Sequence, residues 1–308
     1  ALAAQAVCRT EEVLPFSTGV IGEALPTTML ATALPGALDT LAEDAWEAAA
    51  RAIMTTDTVP KACSRQRALA DGTLTVTGIA KGAGMIRPDM ATMLAFVATD
   101  ARVAPAALRQ CLQQAVARSF HRITVDGDTS TNDACVLVAT GAHASLRIDA
   151  AEGEDYAALC ETVTEVCTTL AQAIVRDAEG ATRFITVRVS GGRSARECLD
   201  VAFTIAHSPL VKTAAFAGDP NWGRILAAVG RAGLPDLDLP AVRIRLDEEL
   251  VVEGGRRADT YTEARGVEMM ARPEYTIHVE LGRGEAEESV WTSDLSHEYV
   301  RINAEYRT

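Results

Sequence analysis

Apolar residues recur at helical spacing over Tyr156–Val175, at Tyr156, Leu159, Val163, Val166, Leu170 and Ile174. A stripe of that width predicts a long helix with one face in a core. The same period at Leu41, Trp46, Ala49, Ala50 and Ile53 predicts a second helix over Leu41–Ile53. Two more are expected, one opened by Pro105 and running to about Phe120, the other over Ala195–Ile205. Leu74–Ile79 and Phe184–Val189 alternate like half-buried strands, and Met93–Val97 is a short apolar run suited to a buried one. Ile123–Val125 and Ala134–Ala139 read as strands around a polar loop. Val13–Phe16 reads as a strand after a helix end at Ala1–Val7. In the last third, Val242–Leu246, Tyr275–Leu281 and Ser289–Thr292 are strand-like, with Gly-rich and charged turns between them. Helices and strands mixed without regular βαβ spacing predict an α+β chain built in layers.

The chain has 308 residues, enough for about two domains, and 48% of them are hydrophobic. Lys+Arg 29 against Asp+Glu 42 gives a net charge of −13, a field that repels nucleic acid and anionic membrane. No apolar run reaches the ~18 residues of a membrane span, so no membrane partner is expected. Seven cysteines, at 8, 63, 111, 135, 160, 167 and 198, form no CxxC and are odd in number; they read as reduced thiols of a cytoplasmic protein. Five histidines without HExxH or HxxxH spacing point to no metal site. The first residue is Ala1 and no signal-peptide pattern follows, so the chain is expected to begin inside a larger domain.

Lysine usage is the first chemical signal. Only Lys61, Lys81 and Lys212 occur, which leaves 26 of the 29 basic residues as arginine. A chain that otherwise uses Arg keeps Lys where a compact ammonium is needed. Lys81, between Gly78 and the Gly82/Gly84 pair, is the best ligand candidate, although chance placement explains any one lysine nearly as well. Polar loops at 17–23, 55–58, 126–133, 218–224 and 301–308 could each be simple turns. The run MATML at 90–94 carries the sharpest chemistry. A Thr hydroxyl can attack the peptide carbonyl just before it, and the ester formed by this N→O shift is cleaved by water. The freed amine can then act as base for its own hydroxyl.

Several segments together resemble the glutamate/ornithine N-acetyltransferases of arginine biosynthesis: STGVIGE, AIMTTDTVPK, GIAKGAGMIRPDMATML, VDGDTSTND, EGATRF, SPLVKTAAFAGDPNWGRILAAVGRAG and DLSHEYVRINAEYRT. Their order and spacing hold from about residue 13 to the end, and the family carries a further segment upstream. Arg87 and Asp89 fall at variable positions of the third motif. The resemblance implies a layered α/β sandwich like that of N-terminal-nucleophile hydrolases. Its nucleophile and oxyanion-hole domain would span 1–190, and a smaller α/β domain, 191–308, would return its tail to the active site. It implies self-cleavage between Ala91 and Thr92 into α and β chains that pair as a heterotetramer. Thr92 is then the nucleophile, and Thr18 and Gly19 form the oxyanion hole. Thr55, Lys81, Thr92, Glu179, Asn303 and Thr308 bind substrate, with no metal or other cofactor. Acetyl would pass from N-acetylornithine to glutamate, with acetyl-CoA as a possible further donor. Asp219, Asn221, Trp222 and Arg224 are expected to support structure, and Asp126 and Asp128 to fix their loop. Two other readings fit such a scaffold: an N-terminal-nucleophile aminopeptidase or amidase with water as acceptor, and a non-catalytic amino-acid-binding relative. Lys81 with Glu179, suited to an acidic acceptor and a basic donor, separates the first of these from a transferase.

Overall fold

The computed structural model of the chain describes residues 1–87 and 93–305. In chain order its elements begin with helices α1 (Leu2–Gln5), α2 (Thr27–Asp39) and α3 (Trp46–Ala52), followed by strands β1 (Lys61–Leu69), β2 (Gly72–Lys81) and β3 (Leu94–Val103). Then come α4 (Pro105–Arg118), β4 (Ile123–Thr124), β5 (Ala134–Ile148), α5 (Glu154–Arg176) and β6 (Phe184–Gly192). Helices α6 (Ala195–Ala206), α7 (Pro209–Ala217) and α8 (Trp222–Gly230) precede strands β7 (Arg243–Leu246), β8 (Glu249–Glu253) and β9 (Arg256–Arg257). The chain closes with α9 (Glu263–Met270), β10 (Glu274–Glu280), β11 (Ala286–Ser293) and α10 (His297–Glu305).

The α5 stripe organises the first half. All six periodic positions, Tyr156, Leu159, Val163, Val166, Leu170 and Ile174, are buried. Glu154 and Asp155 in its first turn and Arg176 in its last suit the helix dipole. The helix lies on a sheet ordered β1-β2-β3-β5, antiparallel except for the parallel β3/β5 pair. It comes close because Gly78 has no side chain: a Cβ there would sit 3.0 Å from Val166 Cγ1 and 3.1 Å from Leu170 Cδ1. By length and composition α5 could cross a bilayer, yet its stripe lies in the centre of this core. A second sheet runs β4-β11-β6-β10-β7-β8-β9 and carries α6 on one face. Its core, with Val187, Val201, Ile205, Ile244 and Ile277, is a separate cluster that begins at Ile185, where the first ends at Phe184. The α+β layering expected from the pattern is what the chain adopts.

Some local expectations fail. Val13–Phe16 is no strand; it runs irregularly, and Phe16 packs edge-on against Phe96 at 5.3 Å between ring centres. The helix expected over Leu41–Ile53 forms only from Trp46, because 40–45 is taken up by a turn after α2. The pattern gave no sign of α2, which holds Pro35 and Gly36 and buries no residue. Nor did it reveal β1, whose Lys, Arg and Gln positions hide its alternation.

Candidate active site

Strand register builds the site at one end of the strands of the first sheet. Lys81 at the end of β2 lies opposite Leu94 at the start of β3, and Leu94 lies opposite Ala134 at the start of β5. A cavity of about 330 Å³ opens there, and its wall includes Thr18, Gly19, Thr55, Lys81, Glu179 and Asn303. Six of the positions singled out in the sequence thus meet, from segments as distant as residues 18 and 303. Thr18 is half-buried and Gly19 exposed, both on the irregular stretch before α2. Ala91, Thr92 and Thr308 lie outside the described residues.

Lys81 Nζ donates to Thr55 Oγ1 at 2.9 Å. Burial pushes the Lys81 ammonium below its ordinary range; Asp57, Glu179 and Asp133 pull it back up, and Lys61 adds to the lowering. The Thr55 loop is fixed by a buried ionic network. Asp57 accepts from the Thr55 amide at 3.2 Å, the Gly82 amide at 2.8 Å and Lys61 Nζ at 2.6 Å. Burial would raise the Asp57 carboxyl, but the Gly82 amide, the Lys61 ammonium and the Thr55 amide outweigh it, and its pKa is lowered. Lys61 Nζ also donates to Asp177 Oδ2 at 2.6 Å, and Asp177 accepts from the Thr58 and Val59 amides at 3.0 and 3.3 Å. One ammonium therefore ties the loop, the end of β2 and the end of α5 together. Two residues beyond Asp177, the Glu179 amide donates to Ala83 O at 2.9 Å. The Glu179 carboxylate folds over Gly84, where a Cβ would lie 2.4 Å from Oε2, and accepts from Asn303 Nδ2 at 2.8 Å.

The loop at 126–133 holds the remaining wall. Asp126 accepts from the Met85 amide at 2.7 Å, the Ile86 amide at 3.0 Å, the Asp128 amide at 3.3 Å and the Tyr299 hydroxyl at 3.1 Å. Burial keeps its carboxyl above the usual range in spite of these bonds. This is the loop-fixing part expected of Asp126, and it also seats α10 against the cavity. Asp133 was not singled out in the sequence. Its Oδ1 accepts from the Met93 amide at 2.7 Å, and burial pushes the carboxyl up to about 7, against the pull of that amide and of Lys81. The only signal for it was its place at the end of DGDTSTND. Asn221, from GDPNWGR, caps α8 by accepting from the Arg224 amide at 3.2 Å, and Arg224 Nη1 donates to Leu210 O at 2.8 Å. The structural part expected of these two residues is visible in those bonds. No cluster of three or more His, Cys, Asp or Glu positions suited to a metal occurs among the described residues.

The arrangement offers an ammonium for a carboxylate, a carboxylate for an ammonium and hydroxyls between them, at the point where β3 begins. A sequence model of the ArgJ family matches residues 1–308. The arginine biosynthesis bifunctional protein ArgJ of Pseudomonas fluorescens (strain Pf0-1) is 60% identical over 297 residues, covering 96% of this chain and 73% of that protein. Its namesake from Methylococcus capsulatus (strain ATCC 33009 / NCIMB 11132 / Bath) is 58% identical over 308 residues, all of this chain and 75% of that protein. Among solved structures, the crystal structure of arginine biosynthesis bifunctional protein ArgJ from Bacillus halodurans superposes with a TM-score of 0.65 at 35% identity. It covers 68% of this chain and 98% of that one.

Proposed function

The chain belongs to the ArgJ family and is an acyltransferase of arginine biosynthesis; from that premise we propose that it carries acetyl from N-acetylornithine to glutamate on Thr92. The observation that supports this reading most is the pairing of Lys81 and Glu179 across one cavity that also holds Thr55 and Asn303. Both substrates are amino acids with an α-carboxylate, which Lys81 would bind. Ornithine adds a side-chain ammonium, for which Glu179 is the complement.

In this reading the Thr92 hydroxyl first severs the Ala91–Thr92 bond, and the freed amine becomes the base for the same hydroxyl. An α-amine with an ordinary pKa of about 7.7–8.0 is partly neutral near pH 7. Thr92 Oγ attacks the acetyl carbonyl, Thr18 and Gly19 stabilise the oxyanion, and ornithine leaves. Glutamate then takes the acetyl group by the reverse sequence. Losing one oxyanion donor costs about 3–4 kcal/mol of barrier, so Thr18 is a sensitive position. The tail, with Asn303 and Thr308, would close over the acyl-enzyme and exclude water. Acetyl-CoA as a second donor, a cytoplasmic location and an assembly of two α and two β chains complete the proposal.

The test is direct. Purified protein is given N-acetylornithine and glutamate or, separately, acetyl-CoA and glutamate, and N-acetylglutamate is measured. Formation from N-acetylornithine is expected. Formation from neither donor contradicts the reading, and release of free acetate in place of transfer would favour an amidase.

A further inference from the structure

Helix α6 turns one face away from its core. Cys198, Val201, Ala202 and Ile205 are buried in the second core. Arg196, Asp200, Phe203 and His207, spaced by three and four residues, fall on the opposite side. With Arg122, in the short helical turn after α4, and with Arg87 they wall a cavity of about 490 Å³. Helix α4 packs into the first core and α6 into the second, so the cavity lies where the two cores meet, a favoured place for ligands.

In a chain of net charge −13 this wall is basic. Three guanidinium groups, of Arg87, Arg122 and Arg196, face one carboxylate of the wall, Asp200, whose Oδ1 lies 2.9 Å from Arg196 Nε. Arg87 has no hydrogen bond or ion pair among the described residues. The Arg122 guanidinium is aimed by its Nε, which donates to Ala117 O at 2.8 Å. Its Nη1 is buried and makes no hydrogen bond among the described residues, although Glu288 Oε2 is 3.2 Å away. A buried donor of this kind calls for a partner. Burial, then the charges of Arg87, Lys212 and Arg231, push the His207 imidazole down to about 4, so that the ring is neutral at pH 7. It lies 5.4 Å from the Phe203 ring with 32° between the planes, an uncharged aromatic surface beside the cations.

Guanidinium groups suit phosphate, which takes two parallel N–H bonds from one arginine, and an aromatic pair suits a planar base. We infer that this cavity binds a nucleoside diphosphate, free or as part of a larger molecule, with its phosphates on Arg87, Arg122 and Arg196 and its base against Phe203 and His207. The inference goes beyond acetyl transfer and stands whether or not acetyl-CoA is a donor. The cavity is nevertheless tied to the candidate active site. Met85 lines the one and Arg87 the other. Ile86 between them is held on both sides: its N–H donates to Asp126 at 3.0 Å, and its carbonyl accepts from the Val125 N–H at 2.8 Å and the Thr124 hydroxyl at 3.0 Å. Thr124 Oγ1 is in turn 3.1 Å from His207 Nε2. The two cavities thus share a short, well-held stretch of wall.

The experiment titrates ADP and, separately, CoA into the full chain by calorimetry, with Arg87→Glu, Arg196→Glu and Phe203→Ala as variants. The Arg196 side chain is 84% exposed, so its reversal carries the test if another variant does not fold. Saturable binding of ADP, of CoA or of both is expected, weakened about 10- to 100-fold by either charge reversal and about 10-fold by Phe203→Ala. Added salt should weaken it further. Turnover of N-acetylornithine should be unchanged in Arg196→Glu. Two outcomes name the source of the nucleotide, and both support the site. A KM for acetyl-CoA raised by Arg196→Glu assigns the nucleotide to that donor, and ADP binding with acetyl-CoA inactive or its KM unmoved assigns it to a free nucleotide. Binding of neither probe, or binding that Arg196→Glu leaves unchanged, overturns the inference. A wild-type protein that makes no N-acetylglutamate from N-acetylornithine sinks the acetyl-transfer reading and not this site.

Discussion

Replacing Lys61 by Met tests the ionic network beneath the cavity. The Lys61 side chain is 1% exposed, and those of Asp57 and Asp177 are 0% and 8% exposed. Methionine fills similar volume but leaves two buried carboxylates facing each other without a cation. Removing one partner of a buried ion pair typically costs about 3–5 kcal/mol. Asp57 keeps the Thr55 and Gly82 amides and Asp177 keeps those of Thr58 and Val59, so about 4 kcal/mol is the expected loss. At about 2–4 °C per kcal/mol for a chain of this order, the melting temperature falls by about 8–16 °C. Heat unfolding is followed in a Thr92→Ala background, so that the proposed cleavage before Thr92 does not intervene. Adding Asp57→Asn and Asp177→Asn to Lys61→Met should recover more than half of the loss. The pH dependence has a definite sign. The Asp57 carboxyl is lowered in the native protein, so its contribution is present above an unfolded pKa of about 3.9 and is lost as pH falls through the native value. The deficit of Lys61→Met should therefore shrink in acid. A melting shift of under about 3 °C, or a deficit that grows in acid, refutes the reasoning.

Gly84→Ala drives a methyl group to within 2.4 Å of Glu179 Oε2 and should raise KM for N-acetylornithine by about 10-fold while changing that for glutamate less, as steady-state kinetics would show. Lys81→Met should lower kcat/KM for both substrates by about 10- to 100-fold, because both carry the carboxylate it is proposed to bind; an effect on one substrate alone contradicts that assignment. Asp133 is raised to about 7 in the native protein, so the stability of its neutral form is present below an unfolded pKa of about 3.9 and is lost as pH rises through 7. In denaturant titrations Asp133→Asn should accordingly gain on wild type between about pH 4 and pH 7, and a constant difference would contradict the raised pKa.

The sequence was most legible where burial is one-sided and regular. The α5 stripe, the alternation of β2 and β6 and the proline that opens α4 all stand close to where the pattern puts them. It was least legible where packing overrides composition. The strand β1 carries Lys61 and Arg67 because Arg67 pairs with Glu161 and Glu165 on α5, and Lys61 enters the ionic network. The final loop at 301–308 is helical as far as Glu305, since Tyr299 and Asn303, one turn apart, reach Asp126 and Glu179. The rarity of lysine was informative: Lys61, Lys81 and Lys212 are 2%, 3% and 4% exposed, so all three of the chain's lysines are buried. Lys81 was the one picked from its glycine surroundings. Lys61 binds Asp177, and Lys212 a hydroxyl and a carbonyl, from segments 80 or more residues away, and only the fold brings these together. Asp133 escaped because its partner is a backbone amide 40 residues away, which leaves no trace in local pattern.

The most direct measurement is the intact mass of the chain proposed to begin at Thr92, quenched in acid while N-acetylornithine is present and glutamate is withheld. A species heavier by one acetyl group, carried on Thr92 and discharged when glutamate is added, is the result expected. A mass that never changes, or an acetyl group on any other residue, would contradict transfer through this threonine.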